Sequence, residues 1–264
     1  MSERIKKIFE TKGKKLITFT TGGDPDFNTS LEILKTIISN GIDIIEIGMP
    51  FSDPMADGPT IQESSVRSLS NGTKINDIFE IVINIRKFNN EIPIILMGYY
   101  NSIFNLGIDN FTAKCAETGV DGLIIVDLQP EEDSELLTKT KEKGIDLIRL
   151  ITPTTNQKRL NTILSNASGF LYYVTVTGIT GQNSANIEDL KKSINTIKSA
   201  TKLPIVAGFG IKNKNDVEQI STFTDGVVVG SSIVNIIKDN LNDKNKMINE
   251  IKVFTKDLKE GTKQ

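Results

Sequence analysis

Apolar positions along this chain fall into two alternating spacings. Short runs rich in β-branched residues recur: LITFT from Leu16, IDIIEI from Ile42, PIILM from Pro93, GLIIV from Gly122, DLIRL from Asp146, FLYYV from Phe170, PIVAG from Pro204 and GVVVG from Gly226. They are continuous rather than strictly alternating, as parallel strands covered on both faces are. Helical spacing fills the gaps. NTSLEILKTIISNG carries Leu31, Leu34 and Ile38 on one face, a capping box of Thr29 and Glu32, and Gly41 as its stop. Ile75, Ile78, Phe79 and Val82 make a second such face, Ile187, Leu190, Ile194 and Ile197 a third, and Met247, Ile251, Phe254 and Leu258 predict a last packed helix.

Strand followed by helix, eight times in 264 residues, predicts a single-domain (β/α)8 TIM barrel spanning 1–264. A doubly wound open sheet is the alternative, because alternation alone does not count closure. One interval is too long for a single unit. The 51 residues from Ile42 to Pro93 hold two helical segments, so an extra helix is expected after the second strand. It begins at PTIQESSVRSLSNG, with a second capping box of Thr60 and Glu63.

Charge changes the picture little and residue usage changes it a good deal. The formal net charge is −2 and no basic stripe with interleaved aromatics occurs, which argues against a nucleic-acid partner. No apolar stretch approaches the roughly 18 residues of a membrane span, and the first residues lack a secretory apolar region, so a cytoplasmic protein is expected. There is no histidine, and the one cysteine, Cys115, sits in a helical pattern. Imidazole catalysis, zinc clusters and disulfides are thereby excluded. None of the eight runs has a lysine in its core or at its C-terminal end, which removes a Schiff-base mechanism. Carboxylates, hydroxyls and backbone amides are left to do the chemistry.

In a barrel those groups belong at the C-terminal strand ends. The seventh and eighth runs end in AGFGI and VGSSIVNII, and the sixth in TVTGITGQNS. Glycines at three consecutive strand ends, the last opening a helix at Ser231 and Ser232 and the sixth in a polar loop able to close over the same end, predict a phosphate-ester site. Ile42, Ile44 and Glu46 share one side of the second strand. If Ile44 lines the interior, Glu46 points into the mouth, where desolvation raises its proton affinity. Asp57, in the turn ADGP, stays wetter, so the two carboxylates divide acid-base and electrostatic roles. A buried ion pair with Arg149 is the competing account of Glu46, and turn formation that of Asp53 and Asp57. Asp127 is a further candidate to hold the ligand or a loop. A hard cation held by Glu46, Asp57 and Asp127 is a variant that amide-bound phosphate does not require.

The segment EIGMPFSDPMADGPTIQ resembles the signature of tryptophan synthase α chains. TTGGDP, LMGYYNSIF, VTGITG, AGFGI and VVGSSIV follow that family's order along essentially the whole chain. The resemblance implies a TIM barrel that cleaves indole-3-glycerol phosphate to indole and glyceraldehyde 3-phosphate. It implies no cofactor on this chain, and an α2β2 assembly with a PLP-bearing β chain that receives the indole. By position, it implies Glu46 as the general acid/base, Asp57 as the carboxylate facing the indole N–H, and Tyr172 beside the reacting side chain. Phe19, Met97 and Phe209 fall in the indole pocket, and Gly181, Gly210, Gly230 and Ser231 in the phosphate site. Thr180 matches a loop threonine that holds Asp57, and Pro50, Asp53 and Asn101 fall where the partner docks. Gln129 and Ser102 stand where the family often has proline. Two rivals remain: another phosphate-binding barrel acting on a sugar phosphate, and a non-catalytic subunit that only activates its partner.

Overall fold

The computed structural model describes residues 2–174, 184–208 and 210–263. The described chain opens with a helix that the hydrophobic runs did not announce, α1 (Glu3–Glu10), followed by β1 (Lys15–Thr21), α2 (Phe27–Ser39) and β2 (Ile44–Gly48). Two helices then intervene, α3 (Pro59–Ser70) and α4 (Ile75–Phe88), before β3 (Ile94–Gly98). Next come α5 (Tyr100–Leu106), α6 (Ile108–Thr118), β4 (Gly122–Ile125), α7 (Ser134–Glu142), β5 (Asp146–Leu147), β6 (Arg149–Ile151), α8 (Gln157–Ser165) and β7 (Leu171–Val174). The described chain continues through α9 (Ser184–Ala200), β8 (Ile205–Gly208), α10 (Lys214–Ser221), β9 (Gly226–Val229), α11 (Ser231–Asp239) and α12 (Lys244–Glu260).

All strand pairings are parallel, in the order β5-β4-β3-β2-β1-β9-β8-β7-β6. The two ends of that order are the two halves of one extended run. Asp146 and Leu147 pair with Gly122 and Leu123 on one side, while Arg149 to Ile151 pair with Leu171 to Tyr173 on the other. The sheet therefore closes into a barrel, and the open-sheet alternative falls. The expected fifth strand is interrupted at Ile148, whose N–H donates to the Leu123 carbonyl at 2.9 Å as the run passes from one neighbour to the next.

Side-chain alternation divides the apolar residues into two layers. Ile17, Ile44, Ile95, Ile124, Ile148, Phe170, Val206 and Val228 fill the barrel interior, while their neighbours Leu16, Ile45, Ile94, Leu123 and Leu171 pack outward under the helices. Ile5, Ile8 and Phe9 of α1 join the inner cluster, with Phe9 and Phe170 ring centroids 5.6 Å apart. The first helix is thus a plug in the N-terminal end of the barrel, which leaves the opposite end as the mouth.

Neither expected capping box forms. α2 starts earlier than its pattern suggested and is capped by Asp26, which accepts from the Thr29 N–H at 2.9 Å, leaving Glu32 to pair with Lys244 at 2.7 Å. α3 is preceded by Gly58 and begins at Pro59, and Glu63 pairs with Lys238 at 2.6 Å. Proline at the first helical position is preorganised and has no N–H to satisfy, so the cap is dispensable. α3 is fastened to the loop after β1 instead. Arg67 donates twice to the buried Asp24 carboxylate, both at 2.8 Å, and Ser68 Oγ donates to the Gly22 carbonyl at 2.7 Å.

Candidate active site

Glu46 lies on the same face of β2 as Ile44, and Ile44 is in the inner cluster, so the conditional placement of this acid in the barrel interior holds. Its residue is 0 % exposed. Neither carboxylate oxygen has a hydrogen-bond partner among the described residues. Arg149, the partner that would have made Glu46 structural, turns to the outer layer and pairs with Asp133. An unpaired carboxylate in so dry a place is costly, and burial pushes its pKa from 4.5 up to about 8. Glu46 is therefore mostly a neutral acid at pH 7.

Glu46 looks into a cavity of about 180 Å³. The lining brings together eight residues singled out from sequence, Phe19, Glu46, Asp57, Met97, Tyr172, Gly210, Gly230 and Ser231, and adds Ile61, Gly208, Ile211 and Val228. Phe19 is Glu46's register neighbour on β1, and Met97 follows its other neighbour, Ile95, by two residues on β3. Together with Ile61 and Ile211 they form apolar walls suited to a flat ring. Tyr172 is held above the usual phenol range by burial first and by Glu46 second, so it stays a neutral phenol. Its hydroxyl needs Gly208 beneath it: a Cβ there would lie 2.6 Å from the oxygen.

Beside Phe19 in the same lining, Gly230 precedes α11, which Ser231 opens. The first N–H groups of that helix have no carbonyl one turn earlier to bond, and with the helix dipole they make an anion site. Gly210 lines the same cavity with φ +59°, in the left-handed region that glycine adopts without strain. Thr180, Gly181 and Phe209 lie outside the described residues.

Asp57 reaches the cavity from the turn before α3 and is only half-buried, the wetter of the two acids as expected. Desolvation raises its pKa, and a hydrogen bond from Tyr99 acts against that rise. Sequence reading missed Tyr99. Its hydroxyl donates to Asp57 Oδ2 at 3.1 Å and accepts from the Ala56 N–H at 2.9 Å, while its ring stacks on Phe51 at 5.0 Å. The only signal was a tyrosine pair just after the third run, which nothing local distinguishes from packing.

Asp127 does not line this cavity. It is exposed and accepts from the Tyr100 N–H at 2.8 Å, at the start of α5, so of the two roles foreseen for it the structure displays the holding of a loop. Among the described residues, no three acids gather into a set that could hold a metal ion, so Glu46, Asp57 and Asp127 do not form the cation variant. Asp53 and Asn101 are exposed and Pro50 half-buried; Pro50 and Asp53 lie on the loop after β2 and Asn101 in the first turn of α5, and the Phe51–Tyr99 stack joins the two segments. Met55 and Phe104 expose 80 % and 68 % of their surface in those same segments. No described helix is long and apolar enough to cross a membrane.

Known proteins resemble this chain along nearly its whole length. The family model described as tryptophan synthase alpha chain matches residues 5–263. A tryptophan synthase alpha chain from Petrotoga mobilis is 44 % identical over 256 residues, covering 97 % of this chain and 98 % of that protein. A crystal structure of tryptophan synthase subunit alpha from Legionella pneumophila superposes with a TM-score of 0.91 at 34 % identity, covering 99 % of this chain and 98 % of that one. A chain in a crystal structure of tryptophan synthase from M. tuberculosis does so with a TM-score of 0.88 at 27 % identity, covering 98 % of each.

Proposed function

This chain belongs to the tryptophan synthase alpha chain family, and on that premise we propose that Glu46 is the group that moves protons in its reaction. The reaction is the cleavage of indole-3-glycerol phosphate to indole and glyceraldehyde 3-phosphate, a lyase step of tryptophan biosynthesis. The observation that carries the role of Glu46 is its complete burial, without a hydrogen-bond partner among the described residues, against a cavity that also holds Asp57, Tyr172 and the start of α11.

Neutral Glu46 gives its proton to ring carbon C3, which turns the indole into an electron sink with positive charge on nitrogen. The resulting carboxylate takes the proton of the hydroxyl on the adjacent side-chain carbon. That oxygen becomes the aldehyde carbonyl, the carbon-carbon bond breaks, and its electron pair returns to the ring. Asp57, held by Tyr99, stabilises the charge on the ring nitrogen. Tyr172 positions the side chain, and Phe19, Met97 and Phe209 clasp the ring. Phosphate takes the amides of Gly181, Gly210, Gly230 and Ser231, with Thr180 holding Asp57 from the loop after β7.

Members of the family act with a β chain. We place the docking face on the loop carrying Pro50 and Asp53 together with α5, which carries Asn101, where Met55 and Phe104 offer exposed apolar surface beside the Asp57 turn. The complex is α2β2, cytoplasmic, with PLP on the β chain, and residues 1–264 form one domain. Purified protein given indole-3-glycerol phosphate, with and without a β chain, is expected to release indole. E46Q is expected to lose that release while still raising β-chain turnover. Unchanged release in E46Q removes the proton-transfer role, and absence of indole even with a β chain removes the assignment.

A further inference from the structure

A second hollow, of about 340 Å³, lies where β4 and β6 meet α8, and it shares no lining residue with the catalytic cavity. Its floor is apolar, with Ile125, Ile148 and Leu150. Its polar lining includes Arg149 and Arg159, and Arg149 is unusual in being only 6 % exposed. The guanidinium pairs through Nη2 with Asp133, itself 1 % exposed, yet neither Arg149 Nε nor Asp133 Oδ1 has a partner among the described residues. A buried donor left unpaired costs about 1–3 kcal/mol, and folding alone recovers none of it. Arg159 stands at the rim, bonded to the exposed Glu131 and to Gln129. An exposed pair of that kind is worth about 1 kcal/mol or less, so an incoming anion displaces it at little cost.

We propose that this hollow is a second ligand site, for a small monocarboxylate with an apolar body. The carboxylate replaces Glu131 and Gln129 at Arg159 and accepts the buried N–H of Arg149, and the body lies on Ile125, Ile148 and Leu150. A monoanion fits because Asp133 already neutralises Arg149, leaving one cation to be matched. An uncharged analogue forfeits the charge-assisted hydrogen bonds that make the difference.

Phenylacetate is the probe, with 2-phenylethanol as its uncharged counterpart, titrated into the full-length protein by calorimetry and amide NMR. Phenylacetate is expected to bind at least tenfold more tightly than the alcohol, perturb amides near Arg149 and Thr152, and keep its affinity when indole and glycerol 3-phosphate fill the catalytic cavity. R159Q, a change at the half-buried rim whose folding is checked by its melting curve, is expected to weaken phenylacetate about tenfold and leave 2-phenylethanol unchanged. The paired variant R149M/D133L, which removes both buried charges together, is expected to lose the preference for the anion. Displacement by indole, equal affinity for acid and alcohol, undiminished binding in R159Q, or no binding at 10 mM would each overturn the proposal.

Discussion

Replacing Glu46 by glutamine changes one atom in the barrel interior and tests whether burial, rather than a partner, governs this acid. Glu46 has a raised pKa, about 8 in the folded chain against 4.5 for an unperturbed group. The folded state then holds a proton that the unfolded state has released throughout the interval between those values. Stability from the neutral acid is complete below pH 4.5, falls by about 1.4 kcal/mol for each pH unit, and is gone above about 8. The full span amounts to about 5 kcal/mol, and the accessible part from pH 5.5 to 8 to about 3 kcal/mol. Glutamine has the same shape and no titration, so every other group cancels in the comparison. For a chain of this length, about 3 kcal/mol corresponds to roughly 6–12 °C in melting temperature. Thermal melts of both proteins, followed by circular dichroism from pH 5.5 to 8.5, are expected to show E46Q gaining on the native chain by that margin as pH rises. Melting curves that stay parallel across the range would refute the burial argument, and with it the neutral acid on which the chemistry depends.

Y99F removes the donor to Asp57 Oδ2 at 3.1 Å, so the Asp57 pKa is expected to climb further. The acid limb of the pH–rate profile should shift to higher pH with about a tenfold loss of kcat/KM, and an unmoved limb counts against the link. G208A places a Cβ 2.6 Å from the Tyr172 hydroxyl. Displacing that ring should cost about 1–3 kcal/mol in stability and reduce indole release well beyond what the melting change explains. R67A strands the buried Asp24 carboxylate and unfastens α3, a loss of about 3–5 kcal/mol by chemical denaturation; a change below 1 kcal/mol would show the pair to be dispensable.

The sequence by itself determined the order of strands and helices, the extra helix before β3, and the side of β2 on which Glu46 lies. These follow from periods of two and 3.6 residues, which are properties of neighbouring positions. The absence of histidine and of inward lysine likewise narrowed the chemistry before any coordinate was known. Other features rest on contacts between distant segments. Closure depends on Asp146 to Ile151 pairing with β4 and then β7, and alternation cannot express that. Arg149 chose Asp133 over Glu46 because it points outward, and only the packed helix layer supplies an acid there. Tyr99 meets Asp57 across 42 positions of chain, and α1 becomes a plug only once a barrel exists to be plugged. Local patterns say which face a side chain takes, and long-range packing says what waits on that face.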